Sequence, residues 1–153
     1  MKIKIKDRDN SKKVEKAFNQ LNRKISIGFF REDGQYSSDT YLNVVDLARV
    51  HEFGVDIKVT KHMKKWFVAN GFPLKSGTKT ITLPERAFLR SAFDENLSTI
   101  NNLVDQAVEE IKSGQEKTDL IIEKLAENIT DIIKSSIDLG NISSKVRYEV
   151  RDV

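Results

Sequence analysis

Residues 85–112 read ERAFLRSAFDENLSTINNLVDQAVEEIK, with Phe93, Leu97, Ile100, Val104, Ala107 and Ile111 recurring every three or four positions. That period places the apolar side chains on one face of an α-helix. It predicts a long helix from about Glu85 to Lys112, with Pro84 tolerated in the first turn, where its missing N–H costs nothing. Ser113-Gly114 breaks the pattern. It resumes from Asp119 to Asp138 through Ile122, Leu125, Ile129, Ile132 and Ile133, and Leu139-Gly140 closes this second helix.

Away from these helices the period changes. Ile25, Ile27 and Phe29 alternate with Ser26, Gly28 and Phe30; Val55, Ile57 and Val59 repeat the alternation, as do Val146, Tyr148 and Val150 near the end. A period of two is the mark of a half-buried strand, and Ile81 and Leu83 suit a further one. Lys2 to Lys6 reads as a short edge strand protected by its lysines. Asn10 or Ser11 caps a helix carrying Val14, Phe18 and Leu21. Asp39 or Thr40 is the expected cap of a helix with Tyr41, Val44, Leu47, Ala48 and His51 on one face, ended by Gly54 in the left-handed conformation that glycine adopts without a Cβ penalty. Thr60 caps a short helix, Lys61 to Asn70, with Met63, Trp66 and Phe67 on one side. The expected fold is α+β: a small mixed or antiparallel sheet packed against one long helix, with further short helices. The expectation is one domain over residues 1–153, with loose edges at 1–9, 31–40 and 71–78. No repeat of 20–50 residues is visible, which excludes a solenoid.

Composition narrows the function classes. The chain has 153 residues, 39% hydrophobic and 32% charged, with seven Gly and two Pro; a chain of this length buries roughly 70% of its unfolded surface. The absence of Cys removes disulfides, thiolate zinc sites and a cysteine nucleophile, and suits a reducing compartment. No run approaches the roughly 18 apolar residues of a membrane span, and the lysine-rich start has no apolar segment behind it. The reading is a soluble protein without signal or membrane segment.

The net charge of +3 hides a segregation. Residues 1–32 carry ten Lys or Arg and four acids, residues 57–84 carry six Lys and no acid, and residues 94–127 carry nine acids and three bases. Such a split orients a protein in a field or pairs opposite faces of neighbouring subunits, although charge runs are often only solvated faces.

Catalytic constellations do not emerge. His51-Glu52 opens like a zinc-protease motif, but the second histidine one turn later is Val55, and His62 stands in another element among lysines. The glycine spacing matches neither phosphate-binding loop. Glu109-Glu110 fits a solvated helix face better than a general acid. No enzyme, metal or cofactor is expected. Lys58, Lys61, Lys64, Lys65, Lys75 and Lys79 surround Trp66 and Phe67 with no acid to cancel them, which makes them candidate DNA-facing residues. Aromatics at that helical spacing, with Met63 on the same face, are more often core than a stacking platform.

Taken in order, Ile25-Ser26-Ile27-Gly28-Phe29, a helix into Ala48-Arg49-Val50-His51-Glu52-Phe53-Gly54, the step Val59-Thr60-Lys61-His62-Met63, and Leu83-Pro84-Glu85-Arg86-Ala87-Phe88-Leu89-Arg90 resemble the central region of the phage virion morphogenesis proteins. These are tail-completion or neck components of tailed bacteriophages. The resemblance covers about three quarters of the chain. Asp138-Leu139-Gly140 followed by Ser144 to Val150 is similar to that family's carboxy-terminal step, whereas its proline- and threonine-rich loop is missing here. The resemblance implies a structural virion protein in tail completion and head-tail joining, a homo-oligomeric ring subunit, hexameric or a multiple of six, at the neck or top of the tail. Its implied partners are copies of itself, head-completion or connector proteins, tail tube or tail terminator proteins, and packaged DNA through non-specific contact. Glu52, Phe53, Arg86, Phe88 and Arg90 are candidates for the subunit interface. Within or between subunits, Glu52, Arg86 and Arg90 are suited to charge-assisted bonds, while Phe53, Phe88 and Leu89 bury apolar area. The alternative is a small, sequence-independent nucleic-acid-binding module built on the basic 57–84 region.

Overall fold

A computed structural model describes Glu15 and residues 22–35, 43–114, 117–138 and 140–152. The expected strand at Lys2–Lys6, the helix around Val14, Phe18 and Leu21, and the positions of Asp39, Thr40 and Tyr41 lie outside the described residues, apart from Glu15, which is helical. The chain order is β1 (Arg23–Gly28), α1 (Val44–Phe53), β2 (Val55–Lys58), α2 (Lys61–Ala69), β3 (Thr80–Leu83), α3 (Phe88–Glu95), α4 (Leu97–Ser113), α5 (Thr118–Ser136) and β4 (Arg147–Asp152), with 3-10 turns at Arg31–Asp33 and Gly140–Lys145. The fold is α+β with antiparallel sheets and long helices. It comprises two compact units, one of residues 1–28 and 92–153 and one of residues 29–91.

The first unit contains the main apolar core. β1 pairs antiparallel with β4, in a register that sets Ile25 opposite Val150 and Ile27 opposite Tyr148. The alternation read in both segments is what this pairing needs, because one face of a two-stranded ribbon must be apolar to pack. Ala107 and Ile111 of α4 meet Ile121 and Ile122 of α5, and Ile25, Leu125 and Val150 pack against that cluster. Further along α5, Ala126, Ile129 and Ile133 are also buried, at one-turn spacing. The buried Thr130 hydroxyl donates to the Ala126 carbonyl at 2.7 Å, so its polar atom is satisfied inside the helix.

The continuous helix expected from Glu85 to Lys112 is corrected to two, since helicity begins only at Phe88 and breaks at Asn96. The Asn96 amide nitrogen donates back to the Ala92 carbonyl at 2.7 Å and across to the Ser136 hydroxyl of α5 at 2.8 Å. A side chain that bonds its own backbone competes with the helical ladder. Of the apolar positions in this stretch, Ile100, Ala107 and Ile111 are buried, while Phe93, Leu97 and Val104 remain more than a third exposed. Gly114 closes α4 in the left-handed conformation.

The second unit is thin. α1 begins at Val44, so its cap is Asn43 rather than Asp39 or Thr40. The Asn43 carbonyl oxygen accepts from the Val45 N–H at 2.9 Å, and its amide donates to the Arg31 carbonyl at 3.1 Å. The first bond caps the helix and the second anchors its start to the 3-10 turn. β2 and β3 form a separate antiparallel pair with Ile57 opposite Ile81. Thr60 caps α2 as expected, accepting from the Met63 N–H at 3.2 Å. Val44, Ala48 and Glu52 of α1 are buried, yet from Phe53 to Ser91 no residue is.

Candidate functional site

The segments His51–Gly54 and Leu83–Arg90 meet in the second unit, and the meeting is built around one buried carboxylate. Glu52, on the last turn of α1, accepts from the backbone N–H groups of Leu89 at 2.9 Å and Arg90 at 3.1 Å. Those are first-turn amides of α3, which the helix itself leaves without partners. A carboxylate at that end also meets the positive pole of the helix dipole. Glu52 therefore caps a helix that starts 36 positions later in the chain.

Arg90 closes the joint from outside. Its Nε donates to Glu52 at 2.9 Å, and its Nη2 donates to the Glu52 carbonyl at 3.1 Å and to Glu85 at 2.6 Å. The guanidinium also lies over the Phe53 ring, 4.9 Å from its centroid. The Glu52 side chain is 8% exposed and that of Arg90 51%, so only one partner of the pair is withdrawn from water. The Glu52 and then the Glu85 hydrogen bonds hold the Arg90 pKa further above its ordinary value. A raised folded-state pKa adds stability that is lost only on passing upward through it. The pair therefore loses nothing from Arg90 titration short of strongly alkaline pH.

Gly54 has φ 67° and ψ 173°, which corrects the expected left-handed cap. Positive φ with extended ψ is a region open essentially to glycine alone. A Cβ there would lie 2.7 Å from both the Glu85 nitrogen and the Leu83 oxygen. Beside this contact the Arg86 N–H donates to the His51 carbonyl at 2.8 Å, clamping the two segments through backbone. Pro84 accordingly lies in the non-helical stretch before α3, rather than in its first turn.

The other candidate interface residues separate. Phe88 is half-buried and stacks edge-on against Phe29, with centroids 6.0 Å apart. Arg86 is exposed, contributing its N–H to the joint. Phe53 was expected to bury apolar area, but within the chain it is 60% exposed, because it stands at the helix end, pointing away from the buried Val44, Ala48 and Glu52 face. With Arg49, Val50, Gly54 and Val55 it lines an open pocket of about 440 Å³. Glu85, which the sequence reading passed over, is an ionic partner of Arg90, and the only signal for it was the opposite charge five residues away.

The six lysines do not form a single row. Lys61, Lys64 and Lys65 surround Val68 on the outward side of α2, and the Lys64 ammonium donates to the Ser76 carbonyl at 3.1 Å, which brings the 75–78 turn to that helix. Lys58 and Lys79 flank the β2–β3 ladder at successive register positions, so regular pleating sends them to opposite faces. Trp66 is 55% exposed and packs edge-on with half-buried Phe67.

Among the described residues no group of three or more His, Asp or Glu is placed to hold a metal ion. We expect elemental analysis of the purified protein to find no stoichiometric zinc, and zinc retention abolished by replacing His51 or His62 would contradict that expectation. No described helix is long and apolar enough to cross a membrane. Comparison with protein-family models, curated proteins and solved structures finds no match to this chain.

Proposed function

We propose that this chain is a structural virion protein of a tailed phage or tail-like particle, acting in tail completion and head-tail joining as a ring subunit at the neck or top of the tail. What carries the reading is the joint itself. Two of the sequence segments that carry the family resemblance are the ones that Glu52, Gly54 and Arg90 tie together, using a buried carboxylate and a glycine-only backbone conformation. Those residues serve architecture, which is what a non-catalytic assembly subunit requires. Val55 and Leu83, paired across the β2–β3 ladder and both exposed, with exposed Phe53 two residues before Val55, support assembly, since adjoining exposed apolar side chains mark contact sites.

The nucleic-acid module remains the weaker reading, because lysines alone attract phosphate while the aliphatic side chains among them need an apolar partner. The test is imaging of particles from a host carrying the gene, together with mass spectrometry of the purified particles. The expected result is a closed ring of this chain where head meets tail. Absence from purified particles, or density for an isolated single copy, would sink the proposal.

A further inference from the structure

We infer that the outward face of α2 and the turn after it form a docking surface for a second copy of this chain, which it receives on the exposed flank of α4. This deepens the assembly reading above and rests on it, by assigning the surfaces through which copies meet. Val68 is 62% exposed and Phe72 73%. Lys61, Lys64 and Lys65 rim Val68 on the helix, and backbone bonds from Gly71 to Val68 and from Phe72 to Phe67 fold the turn back on the helix end, so Phe72 continues the same end of α2. The surface is apolar at its centre and basic around it.

Its occupant must therefore present apolar side chains among acids, and α4 does so. Leu97 and Val104 are 43% and 38% exposed, seven residues apart on one side of the helix, and half-buried Val108 extends their row. Asp105 and Glu109, both exposed, lie one position on along the helix and edge this row. Val104 and Val108, with Ile25, Leu125 and Arg23, whose guanidinium is paired with Asp119 and Asp152, line a groove of about 120 Å³. Residues 94–127 carry nine acids against three bases, whereas residues 57–84 carry six lysines and no acid. A head-to-tail contact buries both apolar rows and sets opposite charges around them, and each copy keeps its other surface free for the next. Nucleic acid is disfavoured because Val68 and Phe72 would meet no apolar groove.

The experiment is sedimentation equilibrium of the full chain at high micromolar concentration and low salt. Wild type should associate beyond the dimer. Phe72→Asp and Val104→Asp should each weaken association by about thirtyfold, the loss expected for one buried anchor. An equimolar mixture of the two variants should recover dimers and nothing larger, since each keeps one intact surface. Should Val104→Asp prove misfolded by circular dichroism, charge reversal replaces it. Lys61→Glu with Lys65→Glu should weaken association, and adding Asp105→Lys with Glu109→Lys to the same chain should restore it.

Monomeric wild type would overturn the inference; monomer that is retained on generic duplex DNA would reassign the surface to nucleic acid. Failure of the mixture and of the charge restoration would overturn it as well. The virion proposal fails separately: association in solution by a chain missing from purified particles removes the neck role and leaves the contact standing.

Discussion

Replacing Glu52 by Ala is expected to destabilise the second unit by about 3 kcal/mol, the lower end for two charge-assisted bonds to α3 amides at about 1.5–3 kcal/mol each. Two α3 amides and the Arg90 guanidinium lose their acceptor together. Glu52→Gln keeps the shape and one acceptor oxygen, but turns an NH2 group toward donors, and should cost about half as much. Arg90→Ala should cost least, because the buried carboxylate retains both backbone partners and loses only a half-exposed ion pair and the contact over Phe53. The single tryptophan, Trp66, lies in this unit, so its fluorescence in a urea titration reads the unit directly. Hydrogen exchange adds a local reading, with the Leu89 and Arg90 amides losing protection first in Glu52→Ala. Equal losses for Arg90→Ala and Glu52→Ala would show that the ion pair, rather than the helix cap, holds the joint.

What the sequence discloses of this fold follows from where each signal resides. The strands β1, β2 and β4 were legible because an alternating pattern is local, and Thr60 was legible as a cap because its acceptor reaches an amide three residues away. The break at Asn96 was not. Phe93, Leu97, Ile100 and Val104 preserve the helical period straight through it, while its cause includes a bond to Ser136, which is 40 residues distant. The charges of Glu52 and Arg90 could be singled out from their type and company, but the use of Glu52 as a cap for α3 depends on a turn-by-turn path that no spacing rule encodes. Phe53 illustrates the opposite limit: an apolar side chain at a helix end reads as core, and only the folded chain reveals that it is left in solvent. The exposed apolar surface of the second unit was invisible for the same reason, since periodicity identifies faces without saying what covers them.

Gly54→Ala should be at least as damaging as Glu52→Ala, and it separates two effects that glycine substitutions usually mix. The φ of 67° with ψ of 173° costs about 1–3 kcal/mol for any residue with a Cβ. The added methyl must also displace the Glu85 nitrogen and the Leu83 oxygen at 2.7 Å and the Pro84 carbonyl carbon at 3.1 Å, all of them backbone. Overpacking against atoms that cannot rotate away adds about 1–3 kcal/mol, for a total of about 4 kcal/mol. Gly114→Ala is the control: its φ of 65° is nearly the same, its ψ of 21° lies in the left-handed helical region, and among the described residues nothing stands within 4 Å of the new Cβ. It should cost about 1 kcal/mol, the backbone penalty alone. In Gly54→Ala the Trp66 transition should shift to much lower urea while the helical signal of α4 and α5 persists to higher denaturant. The double variant Gly54→Ala with Glu52→Ala should lose less than the sum of the two, because prising Leu83–Glu85 away from α1 already withdraws the amides that Glu52 caps. Equal losses at Gly54 and Gly114 would assign the whole effect to backbone conformation and remove the close approach as the reason glycine stands at position 54.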